Sequence, residues 1–199
     1  MTDPVQRTPS RDLEGVLVDA AERVLVREGV RGMTVRAVAT EAGVAPMGVY
    51  NRFGSKYGLI AAVLIRGFDG LAESIRVRED TDPAHRLGTC GRSYRRFALA
   101  KPQHYEAMFG GGVSPADRAA ASSDELKEHA AAAFGVLVDE VARALEVGVL
   151  RRDDPREVAS VIWSAVHGAV ALELAGVMQT ADPDATFERL LAGIADGLG

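Results

Sequence analysis

The chain has 199 residues, enough for one or two domains with a full buried core, and it is 47% hydrophobic with a mean hydropathy of +0.02. That balance fits a globular, soluble protein, neither disordered nor membranous. A single cysteine, Cys90, excludes a disulfide framework, fits a reducing cytoplasm and reads as a small buried hydrophobe. The net charge of −5 is uneven: residues 1–78 carry +2 and residues 79–199 carry −7, so the N-terminal part is the one suited to a polyanion.

Residues 1–10 are polar, carry Pro4 and Pro9, and read as a disordered arm with no secretory signal. Leu13, Val16, Leu17, Ala20, Ala21, Val24 and Leu25 then form an unbroken helical stripe, which Gly29 ends. Val35, Val38, Ala39 and Ala42 predict a short amphipathic helix with Thr34 as N-cap. Gly43 follows it in a position suited to a left-handed backbone. Pro46 pre-sets the first turn of a second short helix, Ala45 to Phe53, with Val49 and Phe53 facing inward. Two helices joined by a few residues containing Gly form a helix-turn-helix, whose second helix enters the DNA major groove.

Ser55 caps a fourth helix, with Leu59, Val63, Phe68 and Leu71 on one face as far as Glu79. It starts inside the motif and runs on, so it is the natural connector. Asp82-Pro83 opens the next helix by the cap-then-proline rule, and Pro102 breaks it after Lys101. Pro102–Phe109 is a short element ended by Gly110–Gly112. Ser122 to Glu125 opens a long helix to Val147, Asp154-Pro155 opens one to Met178, and Asp182-Pro183 opens the last, with Phe187, Leu190, Leu191, Ile194 and Leu198 on one face. No alternating strand pattern occurs. The expectation is all-α: nine helices in two domains, residues 11–54 for DNA and a larger one over 55–199, with helix 55–79 joining them.

The run Thr-Val-x-x-Val-Ala-x-x-Ala-Gly-Val-x-x-x-x-Val-Tyr-x-x-Phe-x-Ser-Lys-x-x-Leu, from Thr34 to Leu59, resembles the DNA-binding domain of tetracycline-repressor-type (TetR) regulators. One departure is Ala45, where that family often has a Ser or Thr cap. Downstream, Trp163-x-x-x-His167-Gly168, with Tyr94-Arg-Arg-Phe97 and Pro102-x-x-Tyr105-x-x-Met108-Phe109, is similar to the WHG class of TetR ligand domains. The resemblance implies a homodimeric repressor that leaves a palindromic double-stranded operator when a small, largely apolar effector binds. A DNA binder without an effector, or a helical binding protein or enzyme keeping the motif as scaffold, are the alternatives.

Roles follow on that basis. Arg36, Met47, Gly48 and Asn51 approach base edges, Arg36 through guanine and Asn51, the only asparagine in the chain, through adenine. Thr34, Tyr50 and Lys56 hold phosphates, Lys56 from the first turn of the fourth helix, where free N–H groups attract anions. Arg52 suits either role and is counted with the phosphate set. The resemblance implies an effector cavity, with Leu64, Phe68, Tyr94, Phe97, Tyr105, Met108, Phe109, Phe134, Trp163 and His167 as candidates.

Val158 to Leu172 carries no Asp, Glu, Lys or Arg, yet Ser160, Ser164, His167 and Glu173 and the absence of aromatic belts disfavour a membrane span. A helix apolar nearly all round is otherwise buried on all sides. Here that means a partner subunit, through Ala165, Gly168, Ala169, Leu172, Ala175 and Gly176, joined by Leu190, Leu191 and Ile194 of the last helix. No catalytic constellation and no cofactor motif is present. His85, His104, His129 and His167 lie too far apart for a metal spacing, so neither enzyme nor metalloprotein is expected.

Overall fold

The computed structural model describes residues 10–78, 82–111, 113–151 and 153–199. Among these there are ten α-helices and no strand. They are α1 (Ser10–Gly32), α2 (Val35–Ala42), α3 (Pro46–Phe53), α4 (Lys56–Ile75), α5 (Pro83–Ala100), α6 (Pro102–Phe109), α7 (Pro115–Ala121), α8 (Asp124–Glu146), α9 (Pro155–Leu174) and α10 (Pro183–Leu198). Of the expected arm, residues 1–9 lie outside the described residues, and Ser10 already belongs to α1. Helix α4 ends at Ile75, short of the expected Glu79, which like Gly112 lies outside the described residues.

The tenth helix, absent from the nine-helix expectation, is α7. Its start obeys the cap-then-proline rule: Ser114 Oγ accepts from the Asp117 N–H at 3.1 Å, with Pro115 in the first turn. The same device opens α5, α9 and α10, where Asp82, Asp154 and Asp182 cap and a proline follows. Only seven residues long and rich in alanine, α7 has no apolar stripe to signal it. Helix α9 stops at Leu174, short of Met178, and Gly176 at φ 67° turns the chain away. Gly29, at φ 70° and ψ −179°, interrupts α1 as the sequence indicates, and a further turn to Gly32 follows the kink.

The helices group into two compact units. One contains the chain up to Gly67 together with Gln103–Lys127, and the other Phe68–Pro102 with Glu128–Gly199. In the first, Leu17, Ala20, Ala21, Val24 and Leu25 of α1 are buried with Val38 and Ala39 of α2, Val49 of α3, and Leu59, Ile60 and Val63 of α4. Of the α1 stripe, Val16 alone is exposed and Leu13 is half-buried. Helices α6 and α7 belong to this unit too. Their anchor is close backbone approach at Gly67, where a Cβ would lie 2.9 Å from Met108 Sδ. Arg118 of α7 donates to the carbonyls of Met108 and Gly110, at 2.8 and 3.0 Å, and so closes the C-terminus of α6.

The second unit is built on α5, α9 and α10, which pack pairwise, with α8 joined by a buried ion pair. Arg86 of α5 makes bidentate bonds of 2.8 and 2.6 Å to Glu140 of α8. Arg95 of α5 likewise grips Glu173 of α9 at 2.7 and 2.6 Å, reaches Asp184 of α10 at 2.6 Å, and lies over the Phe187 ring. Cys90 is buried here as expected, and that burial, with Glu140 adding to it, pushes its thiol up to about 12.

Candidate nucleic-acid interface

The α2–α3 corner is built by local chemistry. Thr34 Oγ1 accepts from the Ala37 N–H at 3.1 Å and caps α2. At the other end the N–H of Gly43 (φ 68°, ψ 31°) bonds the Thr40 carbonyl at 3.2 Å, and the Val44 N–H bonds Ala39 at 2.9 Å. This left-handed closure favours glycine. Ala45 gives α3 no side-chain cap, so Pro46 and the Gly48 N–H to Ala45 carbonyl bond of 2.8 Å set its first turn.

Val49 is wholly buried and holds α3 down, while Met47 and Tyr50 are 63% and 46% exposed and Asn51 is exposed beside them. Gly48 is half-buried. Arg36 and Thr34 are exposed on α2 and its cap, and Lys56 is half-buried at the first residue of α4. Ser55 Oγ accepts from the Gly58 N–H at 3.2 Å and so fixes that first turn.

Ion pairing sorts the basic residues in a way that sequence alone does not. Arg23 and Arg27 are both held by Glu41, at 2.7 and 2.9 Å, Arg66 by Asp19 and Glu22, and Arg52 by Glu14. Of the basic side chains described on α1 to α4, Arg31, Arg36 and Lys56 carry no ion pair. Arg52 is therefore already committed to Glu14. Arg31, which the motif does not single out, lies at the α1–α2 corner and is exposed.

The effector candidates divide. Leu64, Tyr105, Met108 and Phe109 fall in the first unit, where the first three are buried and the Tyr105 and Phe109 rings lie 5.2 Å apart. Phe68, Tyr94, Phe97, Phe134, Trp163 and His167 fall in the second. There the Tyr94 hydroxyl and His167 Nδ1 share a hydrogen bond of 2.6 Å. The Trp163 ring lies 5.0 Å from His167 and meets Phe134 edge-on at 6.2 Å, and Arg156 stands over Phe134. Burial holds the His167 imidazole below its ordinary value, so the neutral ring is favoured.

Helix α9 is long and apolar enough to cross a membrane, the one such helix among the described residues. Val158, Ala159, Ile162, Val166 and Val170 fill the core of the second unit, while Val161 and Leu172 are 57% and 51% exposed on the far side. Ala165, Gly168 and Ala169 between them are half-buried, and Ala175 and Gly176 are exposed. On α10, Leu190, Leu191 and Ile194 are half-buried. Leu191 is partly occupied within its own chain, since its Cδ2 would lie 2.9 Å from a Cβ at Gly91.

A Gly-cornered helix pair with an outward recognition face, set on a helical bundle and followed by a second helical unit, defines a helix-turn-helix DNA-binding regulator. Residues 17–63 match the family of bacterial regulatory proteins of tetR type, and residues 87–194 match the tetracyclin repressor-like C-terminal domain. The chain belongs to the TetR family. It is 30% identical over 191 residues to the uncharacterized HTH-type transcriptional regulator Rv0681 of Mycobacterium tuberculosis, covering 92% of this chain and 79% of that one. It is 32% identical over 105 residues to the HTH-type transcriptional activator FasR of Mycolicibacterium smegmatis, covering 52% of this chain and 48% of that one. Among solved structures, a Rhodococcus sp. RHA1 protein of unknown function superposes with a TM-score of 0.83 at 25% identity, covering 99% of both chains. The protein is a sequence-specific DNA-binding, ligand-responsive transcriptional regulator.

Proposed function

We propose that the protein is a homodimeric repressor that leaves a palindromic operator when a small, largely apolar molecule binds its second unit. The exposed face of α3 carries this reading. Met47 suits a thymine methyl, Asn51 an adenine edge, and Gly48 allows close approach, while Arg36 reaches guanine from α2. Thr34, Tyr50 and Lys56 hold the backbone, with Arg52 joining them when Glu14 lets go. The outward strip of α9 from Val161 to Leu172, with Ala175, Gly176 and part of α10, pairs the subunits, which sets two recognition helices about one helical turn of DNA apart. The effector lies against the aromatic group Phe134, Trp163 and Phe97, oriented by Tyr94 and His167. Lys56 and Phe68 are residues of one unbroken helix, α4, a direct covalent route from effector to phosphate contact.

The test is fluorescence anisotropy with the duplex upstream of the protein's own gene and a random duplex of equal length. Arg36→Ala and Asn51→Ala should each cost roughly 1–3 kcal/mol on the cognate duplex and little on the random one. Equal losses on both duplexes would sink the base-reading assignment. The likeness to FasR, a transcriptional activator, favours a second reading in which the same DNA binding raises transcription; a promoter-fusion assay in a deletion strain decides the sign.

A further inference from the structure

A charged cluster in the first unit has no part in DNA contact. Glu22 of α1 is a branch point: one carboxylate oxygen accepts from Arg66 of α4 at 3.1 Å, and the other faces His104 Nε2 of α6 at 3.3 Å. Asp19, one turn earlier on α1, also pairs with Arg66. Burial opposes the Glu22 charge, but the bonds from His104 and Arg66 outweigh it and hold its carboxyl below the ordinary value. His104 is only 9% exposed, and its Nδ1 is buried with no hydrogen-bond partner among the described residues.

We propose that Glu22, Arg66 and His104 form a latch that fixes α1 to α4 and α6, and that His104 is its proton-sensitive positioning residue for operator binding. The chain of contact is short: α1 packs on α2, and α2 on α3. Neutral His104 with its proton on Nε2 donates to Glu22 and leaves only a lone pair on Nδ1. A second proton must go to Nδ1, creating a buried N–H with no acceptor, which native proteins seldom tolerate. Asp19 and Glu22 from α1 attract that charge, and Arg66 from α4 repels it. From α7, Arg118 is committed to α6 carbonyls and offers no acceptor. The protonated ring therefore leaves its place, and α1 loses its tie to α6 while Arg66 still holds it to α4. Operator affinity falls on acidification.

The inference rests on the DNA-binding reading, so the test has a DNA-free arm. His104→Gln keeps a donor placed like Nε2 and cannot titrate. Wild type should lose at least about threefold more operator affinity than His104→Gln between pH 7.5 and 5.5, measured on the upstream duplex. Without DNA, hydrogen exchange corrected for intrinsic rates should show α1 and α6 losing protection together at pH 5.5 in wild type, and less so in His104→Gln. Parallel affinity profiles, or α1 protection unchanged with pH, overturn the latch. If no duplex is bound at any pH while exchange still shows the coupled opening, the DNA assignment fails and the latch stands. Should His104→Gln not fold, the wild-type exchange profile decides alone.

Discussion

Replacing Lys56 with alanine separates phosphate holding from base reading. Lys56 opens α4 beside a turn fixed by Ser55, and it has no ion pair among the described residues, so its removal disturbs no internal bond. Each phosphate contact contributes about −0.9 to the slope of log affinity against log salt, so a dimer with two copies loses about 1.8 from that slope. Between about 50 and 200 mM salt, a fourfold change, the advantage of wild type over Lys56→Ala should therefore shrink about 12-fold. The random duplex should show the same change of slope as the operator, because a phosphate carries no sequence. Anisotropy titrations at three or more salt concentrations measure both slopes, with thermal melts confirming that the variant is folded. Indistinguishable slopes for wild type and variant would refute the contact, and a loss confined to the operator would move Lys56 to base reading.

Leu172→Arg places a charge at the C-terminal end of the outward α9 strip; sedimentation should show monomers with weak operator binding, and an unchanged dimer would place the interface elsewhere. Arg95→Met leaves Glu173, 15% exposed, without its bidentate partner, and should cost about 3–5 kcal/mol in denaturant unfolding. The double variant Arg95→Met with Glu173→Leu should recover most of that loss. His167 has a depressed folded-state value, so the unfolded chain takes up its proton first as pH falls through about 6.5. Its contribution is complete above that pH and is lost on acidification; unfolding at pH 7.5 and 5.5 should show a smaller drop in His167→Gln than in wild type.

The DNA corner was the most legible part of the chain because its signals are local. Thr34, Gly43 and Pro46 each fix a backbone conformation by their own chemistry, and Val38 and Val49 mark the inward faces by spacing alone. Helix α7 was hidden, since an alanine-rich helix of about two turns has no readable periodicity, although Ser114-Pro115 carried the same start signal recognised at Asp82, Asp154 and Asp182. Ion pairing was not legible at all. Nothing in the spacing of Glu14 and Arg52, or of Glu22 and His104, foretells their meeting, because those partners are brought together by helix packing across long stretches of chain. The same holds for Leu191: a striped face on α10 cannot tell a neighbouring helix of its own chain from a second subunit.

The first packing unit is discontinuous in sequence, and this limits how regulators of this design can be recombined. A fragment ending near Gly67 would lack α6 and α7, and so would uncover the Met108 contact and strand Glu22 without His104. Residues up to α4 should therefore not behave as a detachable N-terminal cassette. A chimera that takes residues up to α4 from one regulator and the remainder from another must also inherit a compatible α6, with a side chain that tolerates its partner at Gly67 and one that can serve its carboxylate at Glu22. Grafts that transfer Gln103–Lys127 together with the N-terminal helices should fold more readily than grafts cut at the motif boundary.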